Sequence, residues 1–403
     1  MPSSYRKTTN QRSAFGGRKR SYGGSAPRNN NRRRVGQYID PSRFVKAARP
    51  VEAVQYQAKH SFADFEVNDL IKRNLTAKGY ETPSPIQDQT IPVALAGNDV
   101  IGIANTGTGK TAAFAIPLIE KLMQNKGSTA LVIAPTRELA QQIEDEMKSI
   151  ARGAGLFGAL LIGGTSMGTQ LRDLRSKPEI IIGTPGRLKD HLERGTLKLN
   201  RCAIVVLDEV DRMLDMGFLP DVTTILSQLP KERQSLFFSA TMDNRVSMLI
   251  EGFANEPLAI THKTSDSSDS VHQNVVHFDA SSEKLDKLHD ILIRSDVEKI
   301  IVFDETQRSV ERLSNELVSR GFKADAIHGG KSQGQRQRAL NRFKNSEVTI
   351  LVATDVAARG IDVNDITHVI NYTLPQSYDD YVHRIGRAGR AGRIGYALTF
   401  VNR

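Results

Sequence analysis

Asp99-Val100-Ile101-Gly102-Ile103-Ala104-Asn105-Thr106-Gly107-Thr108-Gly109-Lys110-Thr111 is the stretch on which the reading of the whole chain turns. Asp99 to Ala104 is an apolar run of strand length, the middle is a glycine-bearing turn, and a helical run begins near Thr111. In that order, Gly107 and Gly109 let backbone amides turn inward on phosphate oxygens. Lys110 supplies a point charge to the β and γ phosphates, and Thr111 offers a hydroxyl to Mg²⁺. Asn105, Thr106 and Thr108 complete the same nucleotide-binding loop. Ala104 stands where the strict pattern has its first glycine, a departure that leaves the reactive positions intact.

A phosphate loop needs a second half, and Val205-Val206-Leu207-Asp208-Glu209-Val210-Asp211 offers one: an apolar strand ending in carboxylates. Asp208 at the strand end is suited to Mg²⁺, and Glu209 to orienting and deprotonating an attacking water. Solvated acids closing a strand are common, so this segment carries weight only beside the loop. Strand-like runs at Ala130–Ala134, Glu179–Gly183 and Ala203–Leu207 alternate with helix-like stretches, which argues for a parallel sheet covered by helices. Residues 264–270 contain no apolar side chain and interrupt the pattern as a linker would. The alternation then resumes at Asn274–Phe278, Lys299–Phe303, Val348–Ala353 and Thr367–Asn371, with Val310, Leu313 and Leu317 at helical spacing between two of these strands. The expected organisation is a disordered basic tail over 1–60, an α/β domain over 61–263, a linker over 264–270 and a second α/β domain over 271–403.

The net charge of +10 is unevenly spread: residues 1–50 hold thirteen Lys and Arg against Asp40 alone, leaving 42 basic and 44 acidic residues elsewhere. A polyanion-attracting field therefore sits on the tail, and nucleic acid is the expected partner. Residues 1–34 are rich in Arg, Asn, Ser and Gly and hold too few apolar side chains to offset ordering entropy. The single cysteine, Cys202, lies in an apolar run, so an intramolecular disulfide is excluded and a buried thiol in a reducing cytoplasm is expected. No run approaches the roughly 18 apolar residues of a membrane span.

Over Phe62 to Val401 the motifs resemble, in order and spacing, the DEAD-box family of superfamily 2 RNA helicases, whose two tandem domains are RecA-like. The resemblance implies an RNA-stimulated ATPase that couples ATP hydrolysis and interdomain closure to RNA binding and local duplex unwinding, acting as a monomer. Gly79 to Gln87 is similar to the family's adenine-reading segment: Gln87 is implied to hydrogen-bond the base and Phe62 to pack on it. Pro135, Thr136, Arg137, Gly164, Thr184, Gly186 and Arg187 match its first-domain RNA motifs. Ser239-Ala240-Thr241, which by itself reads as a helix N-cap, resembles the element that couples the two sites, with Asp211 and His383. In the second domain Gln333, Arg336, Thr354, Asp355 and Arg359 are implied to face RNA, and Gly360 and Asp362 to lie near the ribose and triphosphate. Arg387 and Arg390, in His383-Arg384-Ile385-Gly386-Arg387-Ala388-Gly389-Arg390, are implied to act on the γ-phosphate. The family's namesake tetrapeptide has Ala where this chain has Val210, and the sequence after Phe400 is too short for the family's final helix.

Two other readings stay open at this level. One is a DNA helicase or translocase on the same two-domain engine; the other is a non-catalytic RNA-binding scaffold with a degenerate nucleotide site. The tail is read as an RNA tether, with Arg32-Arg33-Arg34 equally compatible with a nuclear address or a solubilising charge run.

Overall fold

Two parallel sheets organise the chain. The computed structural model describes residues 39–48, 56–105, 107–262, 269–294, 296–358, 363, 365–389 and 393–403. The first lobe contains β1 Val100–Ala104, β2 Thr129–Ile133, β3 Gly158–Leu161, β4 Ile180–Gly183, β5 Cys202–Leu207, β6 Gln234–Ser239 and β7 Leu258–His262, in the spatial order β3-β4-β2-β5-β6-β1-β7. The second contains β8 Val271–Phe278, β9 Ile300–Phe303, β10 Ala324–Ile327, β11 Ile350–Ala353, β12 His368–Asn371 and β13 Gly395–Asn402, ordered β10-β11-β9-β12-β13-β8. All named pairings in both sheets are parallel. Such sheets are covered on both faces, and the central strands β2, β5, β9 and β11 are accordingly almost entirely buried.

This topology brings distant residues together at the carboxyl ends of the strands, where open α/β sheets bind ligands. In the first sheet β6 lies between β1 and β5, so Ser239 at its end stands between the phosphate loop and Asp208. Each loop then starts a helix: Lys110–Gln124 after β1, Arg137–Ile150 after β2 and Pro185–Glu193 after β4.

Three expectations change here. Composition places a disordered tail up to residue 60, yet Ile39 and Phe44 are buried in the second lobe's core, and Pro41–Phe44 form a 3-10 turn capped by Asp40. Composition extends the linker to Ser270, but Asp269 pairs with Lys46 and Ser270 donates to the Gly389 carbonyl. Ser239-Ala240-Thr241 caps no helix; Asp243 caps Asn244–Phe253 by accepting from the Val246 amide. The rest of the tail, including Arg32-Arg33-Arg34, lies outside the described residues.

Candidate functional site

Gly109 adopts φ +87°, and a Cβ there would collide with the Gln87 amide. The phosphate loop is therefore closed against the segment meant to read the base. Gln87 Nε2 donates to the Gly109 carbonyl (3.0 Å), its Oε1 accepts from the Ser84 amide (2.8 Å), and Ser84 Oγ donates to the Thr108 carbonyl (2.7 Å). Gln87 is thus a latch on the loop, and reading a base would draw on an amide already engaged. Phe62 is nearly buried, edge-on to Tyr80 and Phe65 at 5.2 and 5.8 Å.

Lys110 is buried and donates to the Ala104 carbonyl (2.9 Å), holding the ammonium inside the loop with Thr111 next to it on the helix. Asp208 is buried at the end of β5, and burial pushes its carboxyl up to about 6 although the Lys110 charge pulls the other way. Glu209 occupies a left-handed backbone conformation, φ 54° and ψ 54°, a strained placement for a side chain of this kind. Burial acts to raise its carboxyl, but Arg212, Lys110 and Arg387 together hold it below the usual range. Arg212 pairs with it at 2.9 Å, both groups buried. A buried carboxylate under the influence of the loop's Lys110 suits Mg²⁺, which takes one or two protein oxygens and completes its shell with phosphates and water. Among the described residues no cluster of three His, Cys, Asp or Glu forms a self-sufficient metal cage.

Asp211 ties the carboxylate end of β5 to β6. Its Oδ2 accepts from the Ala240 amide (3.1 Å), the Thr241 amide (3.0 Å) and the Thr241 hydroxyl (3.1 Å), while its own amide donates to Ser239 Oγ (3.3 Å). The three first-lobe residues expected to couple the sites are therefore one hydrogen-bonded unit.

Arg387 comes from the second lobe, is buried, and acts on Glu209 of the first. The lobes also meet where Arg336 reaches Glu138 at 2.8 Å and Gln333 Nε2 donates to the same carboxylate at 3.4 Å.

Comparison with known proteins bears on this arrangement. The family description DEAD/DEAH box helicase matches residues 84–249, and Helicase conserved C-terminal domain matches 283–392. The DEAD-box ATP-dependent RNA helicase CshA of Bacillus subtilis is 45% identical over 342 residues, covering 85% of this chain and 69% of that protein. The chain belongs to the DEAD-box family of ATP-dependent RNA helicases. The CshA helicase of Listeria monocytogenes is 44% identical over 84% of this chain and 66% of its own length, so the chain spans about two thirds of these relatives. Among solved structures, S. cerevisiae Dbp5 bound to RNA and ADP BeF3 superposes with a TM-score of 0.75 at 27% identity, covering 85% of this chain and 90% of that one. A DEAD box protein from Methanococcus jannaschii gives 0.51 at 40% identity, covering 85% and 93%.

Within this DEAD-box frame the expected RNA residues fall into two groups. Thr136 caps its helix by accepting from the Leu139 amide (3.2 Å), and Arg137 lies across Gly163 and Gly164, whose φ of +76° and lack of a side chain make room for the guanidinium. Arg187 donates to Gln170 (2.9 Å), which holds His191 in turn, so its charge sits on a fixed scaffold. Pro135, Thr184 and Gly186 lie where the same helices open, and Thr354 directly follows β11. Gln333, Arg336 and Asp355 differ from expectation. The first two are buried between the lobes on Glu138 rather than on an open face, and Asp355 accepts from Nε and Nη2 of Arg384 (2.6 and 2.7 Å). His383 lies on the helix Tyr378–Ile385. Thr106, Arg359, Gly360, Asp362 and Arg390 lie outside the described residues.

Sequence reading missed Arg212, Glu138 and Arg384. Arg384 also donates to Asn371 (3.2 Å) and the Thr373 carbonyl (2.7 Å), joining the ends of β11 and β12. The acid-to-base spacing Glu209 to Arg212, one helical turn, was the available local signal for the first. The partners of the other two are far away in sequence.

Proposed function

We propose that this DEAD-box chain hydrolyses ATP at a centre divided between its lobes and uses closure to grip and locally separate RNA. The observation that carries the reading is Arg387, a buried second-lobe cation that adds to Arg212 and Lys110 in lowering the first-lobe Glu209 carboxyl. On this reading Lys110 and the loop amides hold the triphosphate, Glu209 takes the proton of the attacking water, and Arg387 meets charge growing on the transferred phosphoryl group. Thr111 and Asp208 would hold Mg²⁺, which supplies charge neutralisation at the phosphates when bound. Arg390 is assigned beside Arg387, and Gly360 and Asp362 near the ribose, on the family resemblance alone.

RNA is proposed to lie across Arg137, Gly164, Arg187 and Thr354, and across Arg359 on resemblance, with phosphates and 2′-hydroxyls rather than base edges as the contacts. ATP and RNA each bridge the lobes and so reinforce one another's binding. We place the enzyme in the cytoplasm as a monomer; burial pushes the Cys202 thiol up to about 12, leaving it unreactive, and among the described residues no helix is long and apolar enough to cross a membrane.

Steady-state ATPase measured with single-stranded RNA and with DNA of the same sequence tests the reading. Stimulation by RNA alone, abolished by Lys110→Ala, is expected. Equal stimulation by DNA would instead favour a DNA translocase, and RNA binding without any turnover would favour a scaffold.

A further inference from the structure

We propose that residues 39–48 are a strap that positions the helix leading into the turn of the second lobe's catalytic arginine, so that Phe44 belongs functionally to the ATPase site. The strap is built from independent contacts. β8 is an edge strand, and Lys46 pairs with Gln273 on it in antiparallel register, amide to carbonyl in both directions at 3.0 and 2.8 Å. The Lys46 ammonium meets Asp269 at 2.5 Å, and the Ala48 amide donates to His272 Nδ1 at 3.1 Å. Asp40 starts the turn by accepting from the Ser42 amide at 2.9 Å. A stretch docked this way has a definite register, which a tail does not.

What the strap presses on is the helix Tyr378–Ile385. The Phe44 ring, with no exposed surface, lies 4.7 Å from the ring of Tyr381, and the Arg43 guanidinium sits 3.8 Å above Tyr378. Tyr381 is in turn pinned by its hydroxyl donating to Gln273 Oε1 (2.9 Å), the residue the strap already pairs with. Phe44, Tyr381, Ile385 and Ala388 share one apolar core, and the last two bracket Arg387. Arg387 stands in the turn just beyond this helix, its amide donating to the Arg384 carbonyl at 3.1 Å. Removing Phe44 therefore opens a void against this helix, and relaxation into it moves the turn that carries the guanidinium. The same stretch of chain is next fixed on the first lobe, where the Tyr56 hydroxyl (2.5 Å) and the Lys59 amide (2.9 Å) donate to Asp88, the neighbour of Gln87.

Phe44 is thus a positioning residue acting through Arg387, and the inference rests on the catalytic role proposed for that arginine. The test uses the full chain at saturating RNA, at a temperature well below each variant's melting range. Phe44→Ala is expected to lower kcat about tenfold with KM for ATP changed less than about twofold, since a small misplacement of a catalytic group is felt in turnover. Phe44→Leu, which keeps most of the apolar volume, is expected to restore most of the rate. In the Arg387→Ala background Phe44→Ala should cost nothing further. Deleting residues 1–38 should leave kcat intact, whereas deleting 1–48 should match Phe44→Ala. A folded Phe44→Ala protein that melts earlier but turns over normally overturns the proposal. If Phe44→Ala does not fold, Arg43→Ala carries the test through a smaller loss of kcat, about threefold, and its absence overturns the proposal equally. Full activity of Arg387→Ala alone would show instead that the reading of the arginine is at fault.

Discussion

The carboxylate cluster after β5 and the seam between the lobes are both buried and charged, but they are satisfied in opposite ways. Asp211 gives one oxygen to three donors, all within the first lobe. At the seam, Arg336 and Glu138 lie at ion-pair distance off the hydrogen-bond direction, and Arg336 Nε and Gln333 Oε1 have no protein partner. Burial raises the Glu138 carboxyl against the pull of Arg336, and lowers Arg336 against the pull of Glu138; desolvation dominates on both sides. Withdrawing two charges from water costs several kcal/mol each, and a misaligned pair offsets that poorly. The first cluster is a fixture of its lobe. The second is a contact suited to being made and broken, so that ligands bridging the lobes can decide whether it forms.

The sharpest way to break this comparison is to remove the group that crosses the cleft to the fixed cluster. Arg387→Ala is expected to lower RNA-stimulated turnover about 10³-fold or more while a fluorescent ATP analogue still binds the first lobe, because the guanidinium is needed only as charge develops. A variant hydrolysing normally would separate the lobes chemically and leave the divided centre without support.

The seam itself comes next in size. Glu138→Gln leaves Arg336 buried without a counter-charge, a cost of about 3–5 kcal/mol to the closed arrangement. The enhancement of RNA affinity by a non-hydrolysable ATP analogue should then fall about 10²-fold, with affinity for either ligand alone nearly unchanged. Adding Arg336→Met should recover much of the loss by removing the stranded charge. Unaltered coupling in Glu138→Gln would mean that the seam is a bystander.

Asp211→Asn sharpens the other side. The amide oxygen can keep the Ala240 and Thr241 donors, but its NH2 then faces the Arg212 amide, which donates to Asp211 Oδ1 at 3.0 Å, and the lost bond costs about 1–3 kcal/mol. Because the cluster is internal to its lobe, the effect should show as a lower urea midpoint of the first lobe. A change confined to ATP and RNA coupling, with the midpoint untouched, would make Asp211 part of the seam's machinery instead.

The same contrast explains what could be read in the sequence. The phosphate loop, Asp208 and Glu209 were legible because each is a strand end followed by its own turn, chemistry written in consecutive residues. Central strands such as β2, β5, β9 and β11 were legible as unbroken apolar runs. The edge strands β3 and β7 were not, since exposed positions dilute their pattern, and β10 was not because Asp325 breaks a run of only four residues. Glu138 with Arg336 and Asp355 with Arg384 were opaque for a different reason: in a chain with 55 Lys and Arg, nothing local marks which arginine a given acid will meet. The family resemblance located Arg336 and Asp355 but gave them RNA as a partner, where the fold gives them each a charge of its own. Phe44 was hidden by composition, one ring in a basic stretch that reads as tail until β8 is seen to have a free edge.

The smallest expected effect lies in residues 1–38, which hold ten Lys and Arg and no acid. If they act as a tether, their contribution is electrostatic and additive to the site, raising local RNA concentration without touching the chemistry. Each phosphate neutralised on a single strand contributes about 0.7 to the slope of log affinity against log salt. Engagement of about three to five of these cations therefore predicts that deleting 1–38 flattens that slope by about 2 to 4 and weakens RNA binding a few-fold to tenfold near 0.15 M salt, with kcat at saturating RNA unchanged. Measuring affinity from 0.05 to 0.3 M salt separates this from a strap effect, which would appear in kcat and be insensitive to salt. A deletion that changes neither slope nor affinity removes RNA as the tail's ligand and leaves its charge to be explained by targeting or solubility.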